Sequence, residues 1–478
     1  MASTTRHDRA TPILLGLSAF LVYAWTLDRG GGGGDVGEMQ LAAYHLGIAH
    51  PPGYALQAAI GHLFCMLSIG SPATRVNLLS AVAAAACVGL LAAALRRLDL
   101  RSSAAAAGAL MLAFSDLFWR QARYAEVYAF HTALLAGAVL AAVAFRQSRR
   151  ASLLWVEALL LGALCSARPC ALLLIPAFIG FHWCARGGAR ERNSEAASAG
   201  GRNPPTARRA RSRLGLQIAL CFALPYVYVF AYLMIRDQPG AAFNYINDHA
   251  VNLRHESAPV ALLPDNATWA GRLHRSLWTM RAAQFQPVVS AAIDRVETGL
   301  TDFASRLTSS DLSMGGVILM FAGLWRWRRR TCLLVLALGL LAGNQVFYLS
   351  YNSWDRITFT LPSLLALAML VAAGADALLA WSSRRAPAIG RVAVFLPAAF
   401  LAIHNFEQND GSNPQRLLEA TWAGFPDPVA QLEPILLRTA ARQTLQTPLP
   451  DRARIYTYFS TGRALQCVLT FEKQRTDV

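Results

Sequence analysis

Long apolar stretches separated by short polar blocks set the pattern of this chain, near 11–27, 76–95, 103–118, 125–145, 152–166, 168–184, 214–234, 312–325, 331–350, 359–381 and 388–404. About 20 such residues cross a hydrocarbon core of roughly 30 Å as a helix. Inside that core only hydrogen bonds within the segment satisfy the backbone, so helices are the expected form. The pattern predicts an all-α, polytopic integral membrane protein with about eleven transmembrane helices, the shortest of them open to a re-entrant form. The third stretch is the weakest, since Asp116, Arg120 and Arg123 crowd its end. The first is followed by no A-x-A cleavage site and reads as a retained span.

Composition agrees. The 478 residues are 55% hydrophobic and 15% charged, against about 25% charged in soluble proteins. The net charge of +16 does not indicate nucleic-acid binding, because the arginines sit in blocks between apolar runs. Blocks at Arg6 and Arg9, Arg96 to Arg101, Arg146 to Arg150, Arg186 to Arg213, Arg326 to Arg330 and Arg384 to Arg391 fall on alternate loops. That is the positive-inside pattern, and it puts the N-terminus in the cytoplasm. The Ala and Arg excess suits a bacterial protein of the inner membrane. Eight cysteines without paired spacing read as small buried hydrophobes, neither disulfides nor a metal site.

The domain reading is a membrane region over 1–404 and a short extracytoplasmic segment over 405–478. Within the first, 28–75 is an outer loop carrying an acidic motif. Residues 185–213, rich in Gly, Ser, Pro and Arg, form a disordered cytoplasmic loop between two membrane halves. Residues 236–311, with Trp269, Trp278 and Phe285 among polar positions, form an outer loop of amphipathic helices. The loops holding unusual polar residues, 28–75, 119–124, 167–168, 236–311 and 351–358, all open on the outer side, which suggests one outer-facing site.

Candidate chemistry starts at Asp35-Val36-Gly37-Glu38. Asp followed three residues later by Glu ahead of an apolar helix is the pattern of a capping box. It is equally the pattern of a general base, Asp35, with Glu38 orienting substrate or a cation. His50-Pro51-Pro52-Gly53-Tyr54 is a rigid break, either an ordinary turn or a contact to a sugar hydroxyl or phosphate. Arg123 and Glu126 could pair at i, i+3, or bind a lipid phosphate and reach into a cavity. Arg168, followed by Pro169, could simply snorkel to the headgroups, and Arg356, equally ambiguous, has Asp355 as an obvious partner. Both have the planar fork that suits phosphate. The sequon at Asn266 reads as chance. No Walker, dinucleotide, zinc or Ser-His-Asp pattern is present, which disfavours an energised pump or a soluble-cofactor enzyme.

Taken together, GDVGEMQLAAYHLGIAHPPGYALQAAIGHLF, RVNLLSA at 75–81, AEVYAFHTALL at 125–135 and YNSWDRITFTLPS at 351–363 resemble the motifs of a membrane family known as domain of unknown function twenty-seven twenty-three. Its animal relative is a TPR-tailed protein O-mannosyltransferase. The family usually has Ser where Val36 stands and Pro where Ala55 stands. The resemblance implies a GT-C-type membrane glycosyltransferase that moves a sugar, mannose by analogy with the animal relative, from a polyprenyl-phosphate donor to a hydroxyl at the outer face, with inversion. It implies Asp35 as base and Glu38 as its assistant. His50, Tyr54, Arg123, Glu126, Arg168, Asp355 and Arg356 would bind substrate, with Arg168 the least family-like. No cofactor is required on this reading, although a divalent cation held by Asp35 and Glu38 stays open, as it is used by some GT-C relatives. Partners are the lipid-linked donor, the bilayer and a hydroxyl acceptor on protein, lipid or glycan. The segment from Leu449 resembles the start of an extracytoplasmic domain that relatives continue, so acceptor recognition would differ here or need a partner. The rival is a lipid-linked-glycan transporter or a non-catalytic subunit of an envelope glycan complex. It requires no acceptor-side carboxylate and would place charges deep in its spans.

Overall fold

The computed structural model describes residues 6–194, 205–247, 263–283, 293–351 and 356–409. Among them the helices run, in chain order, α1 (Arg6–Trp25), α2 (Gly34–His45), α3 (Ala55–Cys65), α4 (Pro72–Arg97), α5 (Ser102–Phe114), α6 (Asp116–Gln121), α7 (Val127–Ser148) and α8 (Ala151–Ala167). There follow α9 (Ile175–Ser194), α10 (Pro205–Arg236), α11 (Trp269–Met280), α12 (Ile293–Arg306), α13 (Ser313–Trp327), α14 (Thr331–Ser350), α15 (Leu361–Ser382) and α16 (Pro387–Asn409). The only strand-like pairing among the described residues is an isolated bridge between Ile48 and Asn244. The fold is all-α, as the apolar pattern predicts.

Every predicted apolar stretch coincides with a helix. Six are long and apolar enough to cross a membrane, and a seventh if the pair Val296–Asp311 and Ser313–Trp327, bent by 109°, counts as one span. The rest are shorter, down to 13 residues in α5. That helix stops because Ser115 accepts a hydrogen bond from Phe118 N and caps the next turn. The charges that crowd its end are absorbed internally: Asp116 is buried and pairs with Arg306 at 2.8 Å and Arg120 at 3.4 Å.

At the centre runs α15, buried along nearly its whole length and packed on α5, α13, α14 and α16. A helix apolar all round belongs in such an interior. Its closest crossing is with α13, where a Cβ on Gly374 or Gly323 would fall on the backbone carbonyl of Leu319 or Leu370. Small residues let membrane helices approach in this way. Outward faces are apolar instead: Ile13 and Leu21 of α1, Leu216 and Val227 of α10, and Ile389 and Ile403 of α16 are each at least 55% exposed. Such a surface has to be covered by a bilayer, so this is an integral membrane protein. Exposed Trp25 stands at one rim and Trp325 and Trp381 at the other, where amphipathic rings settle at headgroup level.

Among the described residues, arginines of separate blocks meet at one end. Arg101 and Arg326 both reach Asp376, at 2.8 and 3.5 Å, and Arg330 donates to the Leu98 carbonyl. At the other end α2 and α3 fold over the bundle, with α10 and α11 beside them. Residues 185–194 and 205–213 extend α9 and α10. Nearly all of the segment 405–478 lies outside the described residues.

Candidate active site

Helix α2 begins at Gly33 as N-cap, and no side chain caps it. Asp35 stands in the first turn and Glu38 on the buried face. The capping-box alternative is therefore not taken. Glu38 reaches forward instead: its Oε1 accepts from the His50 backbone N–H and lies 2.9 Å from His50 Nδ1. One carboxylate thus fixes both the turn and the imidazole.

The turn is held from its far side. Leu46 in the left-handed region ends α2, and the Gly47 carbonyl accepts from the Tyr232 hydroxyl at 2.9 Å. Tyr245 N donates to the Ile48 carbonyl at 2.8 Å. Gly53 has φ +91, and a Cβ there would press on Leu233 and Thr279, so glycine is required. Tyr54, with φ 42, then opens α3. Its ring meets His50 edge-on at 5.0 Å, while Tyr245 approaches the other side of the imidazole at 5.7 Å.

Electrostatics follow from this crowding. Burial opposes charging of His50, but Glu38, then Asp35 and Glu126, overcome it and raise its pKa to about 9. His50 is a cation at neutral pH, a donor and not a base. Burial pushes the Tyr54 hydroxyl well above its ordinary range; Asp35 adds to this and Arg168 works against it. Tyr54 therefore feels charges of both signs.

On its second side Tyr54 stacks on His131 at 6.0 Å. Arg168 ends α8, is 7% exposed, and lies over the rings of Phe359 at 4.3 Å and Tyr128 at 5.2 Å. Glu126 is the N-cap residue of α7, and its carbonyl accepts from Gln57 and Ser80. Asp35, Glu38, His50, Tyr54, Glu126 and Arg168 thus converge.

Two sequence candidates are engaged elsewhere. Arg123 is buried, donates to the Thr26 carbonyl at 2.6 Å and reaches Asn409 at 3.5 Å, without pairing with Glu126. Arg356 pairs with Asp302 at 3.3 Å. Asp355 lies outside the described residues.

Sequence reasoning missed two contributors. His131 is a polar residue inside an apolar span, a signal available in the chain. Tyr245 carried no signal. Its segment is held by a buried knot in which Asp237 accepts from Arg275 at 2.7 and 3.0 Å, Asn244 at 2.8 Å and Asn266 at 2.9 Å. Asn266, the sequon asparagine, is 4% exposed; its amide is spent on that knot.

One oxygen or nitrogen from each of Asp35, Glu38 and His50 lies within 4.8 Å of the others. Two carboxylates and an imidazole at that spacing are a donor set suited to a divalent cation. His50 would have to release a proton to join.

Residues 35–186 match the family model described as the protein O-mannosyl-transferase TMEM260 N-terminal domain. The family expected from the motifs is borne out over this segment. It contains Asp35, Glu38, His50, Tyr54, Glu126, His131 and Arg168; Tyr245 and Phe359 lie beyond it. Over 125 residues, 26% of the chain, the sequence is 37% identical to protein O-mannosyl-transferase TMEM260 of Mus musculus. It is 40% identical over 52 residues, 11% of the chain, to its counterpart in Dictyostelium discoideum. These matches span only 18% and 6% of the two relatives. A structure of ArnT from Cupriavidus metallidurans bound to undecaprenyl phosphate is 13% identical, with a TM-score of 0.47 over 95% of this chain and 84% of that one.

Proposed function

We propose that this chain is a GT-C-type membrane glycosyltransferase that moves a sugar, mannose first among the candidates, from a polyprenyl-phosphate donor to an acceptor hydroxyl. The observation that carries the reading is the cluster of Asp35, Glu38 and His50 beside Tyr54, a residue that also feels the charge of Arg168. A nucleophile-activating carboxylate and an anion-stabilising cation are the two groups the reaction needs. The site faces the periplasm of a bacterial inner membrane, with the N-terminus cytoplasmic, and the positive blocks at the opposite end support that orientation.

The chemistry balances as a single displacement. The acceptor oxygen bonds to the anomeric carbon while the bond from that carbon to the phosphate oxygen breaks, and its electron pair leaves as polyprenyl phosphate. Asp35 takes the acceptor proton. Glu38 and the His50 cation hold one another and fix the loop that presents Asp35. Cationic groups offset the charge growing on the leaving phosphate, an effect that a half-buried, low-dielectric site strengthens. Inversion at the anomeric carbon follows.

The test is release of free polyprenyl phosphate from a panel of radiolabelled polyprenyl-phosphate sugars, by wild type and Asp35→Asn purified in detergent. The variant keeps shape and loses basicity, so release should fall roughly 10²- to 10⁴-fold with membrane insertion unchanged. Wild-type release from Asp35→Asn would remove the base assignment. Bound donor with no release by either protein would favour a transporter or subunit.

A further inference from the structure

The motif RVNLLSA at 75–81 lies in the first turns of α4, which packs on α2. Its Asn77 is fully buried, and so is Gln40 on α2. Gln40 Oε1 accepts from Gly32 N at 2.9 Å, and its Nε2 donates to the Gly30 carbonyl at 3.2 Å and to Asn77 Oδ1 at 2.9 Å. Asn77 Oδ1 also accepts from Ala125 N at 2.9 Å, while its Nδ2 donates to the Asp28 carbonyl at 2.8 Å. A backbone N–H only donates, so Gly32 and Ala125 dictate which way each amide faces. With both amides so turned, Gln40 presents N–H to the Asn77 oxygen, and every link is complementary.

The pair holds the stretch least able to hold itself. Residues 30–34 are five glycines, each with more backbone freedom to lose than any other residue. The chain enters Asp35 through Gly34 at φ 51, in the left-handed region. Glu38 and His50 secure the exit of α2, and Gln40 with Asn77 secures its entry. One atom, Asn77 Oδ1, joins the helix that carries Asp35 to the residue before Glu126. Three residues further along α4, Ser80 donates to the Glu126 carbonyl at 3.3 Å, and Asp28 N donates to the Arg123 carbonyl at 3.3 Å. We propose that Gln40 and Asn77 act as one positioning pair for Asp35, locking the glycine run to the entrance of α7 so that Asp35 and Glu126 keep a fixed separation. The catalytic consequence rests on Asp35 being the base; the lock itself does not.

The experiment joins two measurements on the full chain in detergent. Hydrogen exchange reads the amides of 28–37, and release of free undecaprenyl phosphate from radiolabelled undecaprenyl-phosphate sugars reads turnover. The variants are Gln40→Met and Asn77→Leu, which keep volume and lose the amide, and the two combined. Tyr23→Phe removes one buried hydrogen bond, from the Tyr23 hydroxyl to the Ala113 carbonyl, and serves as the structural control. Each positioning variant should raise exchange across 30–34 by about tenfold or more. Each should also lower release at saturating donor roughly tenfold to a hundredfold, with the half-saturating donor concentration unchanged. The combined variant should be no worse than the poorer single one, since the pair acts as a unit. Tyr23→Phe should leave both readings as in wild type. Should Asn77→Leu not fold, Gln40→Met carries the test alone, because it leaves both backbone bonds of Asn77 in place. Unchanged exchange in Gln40→Met, with its fold intact by near-ultraviolet circular dichroism, or additive losses in the combined variant, would overturn the lock. Loosened exchange with wild-type release would show a lock that positions nothing and would overturn the positioning claim. Wild-type release by Asp35→Asn, or none by wild type from any donor, would instead sink the base reading while the exchange result stands.

Discussion

The pairing of His50 with Glu38 yields a stability signature that depends on pH. Its test is a double-mutant cycle of His50→Gln and Glu38→Gln. In the folded protein the imidazole titrates near 9, against about 6.5 in an unfolded chain. The folded value is the higher, so the contribution is fully present below about pH 6.5 and is lost as pH rises through about 9. Linkage then gives at most about 3 kcal/mol near pH 6, about 2.5 kcal/mol near pH 7 and almost nothing by about pH 10. Glu38 supplies the largest of the favourable contributions, ahead of Asp35 and Glu126. The coupling between the two residues should therefore be roughly 1–2.5 kcal/mol at neutral pH. Equilibrium unfolding in mixed micelles, followed by tryptophan fluorescence near pH 6, 7 and 10, reads it directly. Glu38→Gln alone should be the more damaging single change at low pH, because it leaves a buried cation facing a neutral amide. A coupling that stays constant across this range, or grows with pH, would mean that His50 is neutral and that the ion-pair argument is wrong.

Two further outcomes follow from packing. Asp237→Ala leaves Arg275 buried without its carboxylate and should destabilise by about 3–5 kcal/mol. Protease cleavage near 237–275 should then appear in detergent, and an unaltered digestion pattern would show the knot to be dispensable. Gly374→Ala places a methyl group on the Leu319 carbonyl and should cost about 1–3 kcal/mol, read as lost monodisperse yield. Gly215→Ala, with open space around it, should change nothing; equal losses in both variants would refute the crossing argument.

The membrane architecture was legible because bilayer thickness forces a length and polarity on each span, and all the apolar stretches became helices. The first loop was legible in content but not in arrangement: Asp35 and Glu38 at i, i+3 fit a cap and a site equally well, and only the contact of Glu38 with His50 shows that the capping box is not formed. Arg123 reads as a partner of Glu126 or of a lipid phosphate because a sequence does not show that the Thr26 carbonyl and Asn409 meet it. The Asp237–Arg275 bond joins residues 38 apart in a loop without periodicity, so nothing local announced it, and Tyr245 was invisible for the same reason. His131 sat inside a quoted motif, hidden by an apolar helix that makes one polar residue look incidental.

The central place of α15 bears on how the protein is made. Helices α5 and α7 leave the ribosome long before α15 does, yet they pack against it, and Asp376 on α15 is the acid that Arg101 at the start of α5 reaches. Until α15 is inserted, the early helices border lipid or one another where a partner belongs, and Arg101 lacks its carboxylate. Assembly of the bundle therefore closes late, and a nascent chain halted before Leu361 presents the cell's membrane quality control with an open groove and not a finished half.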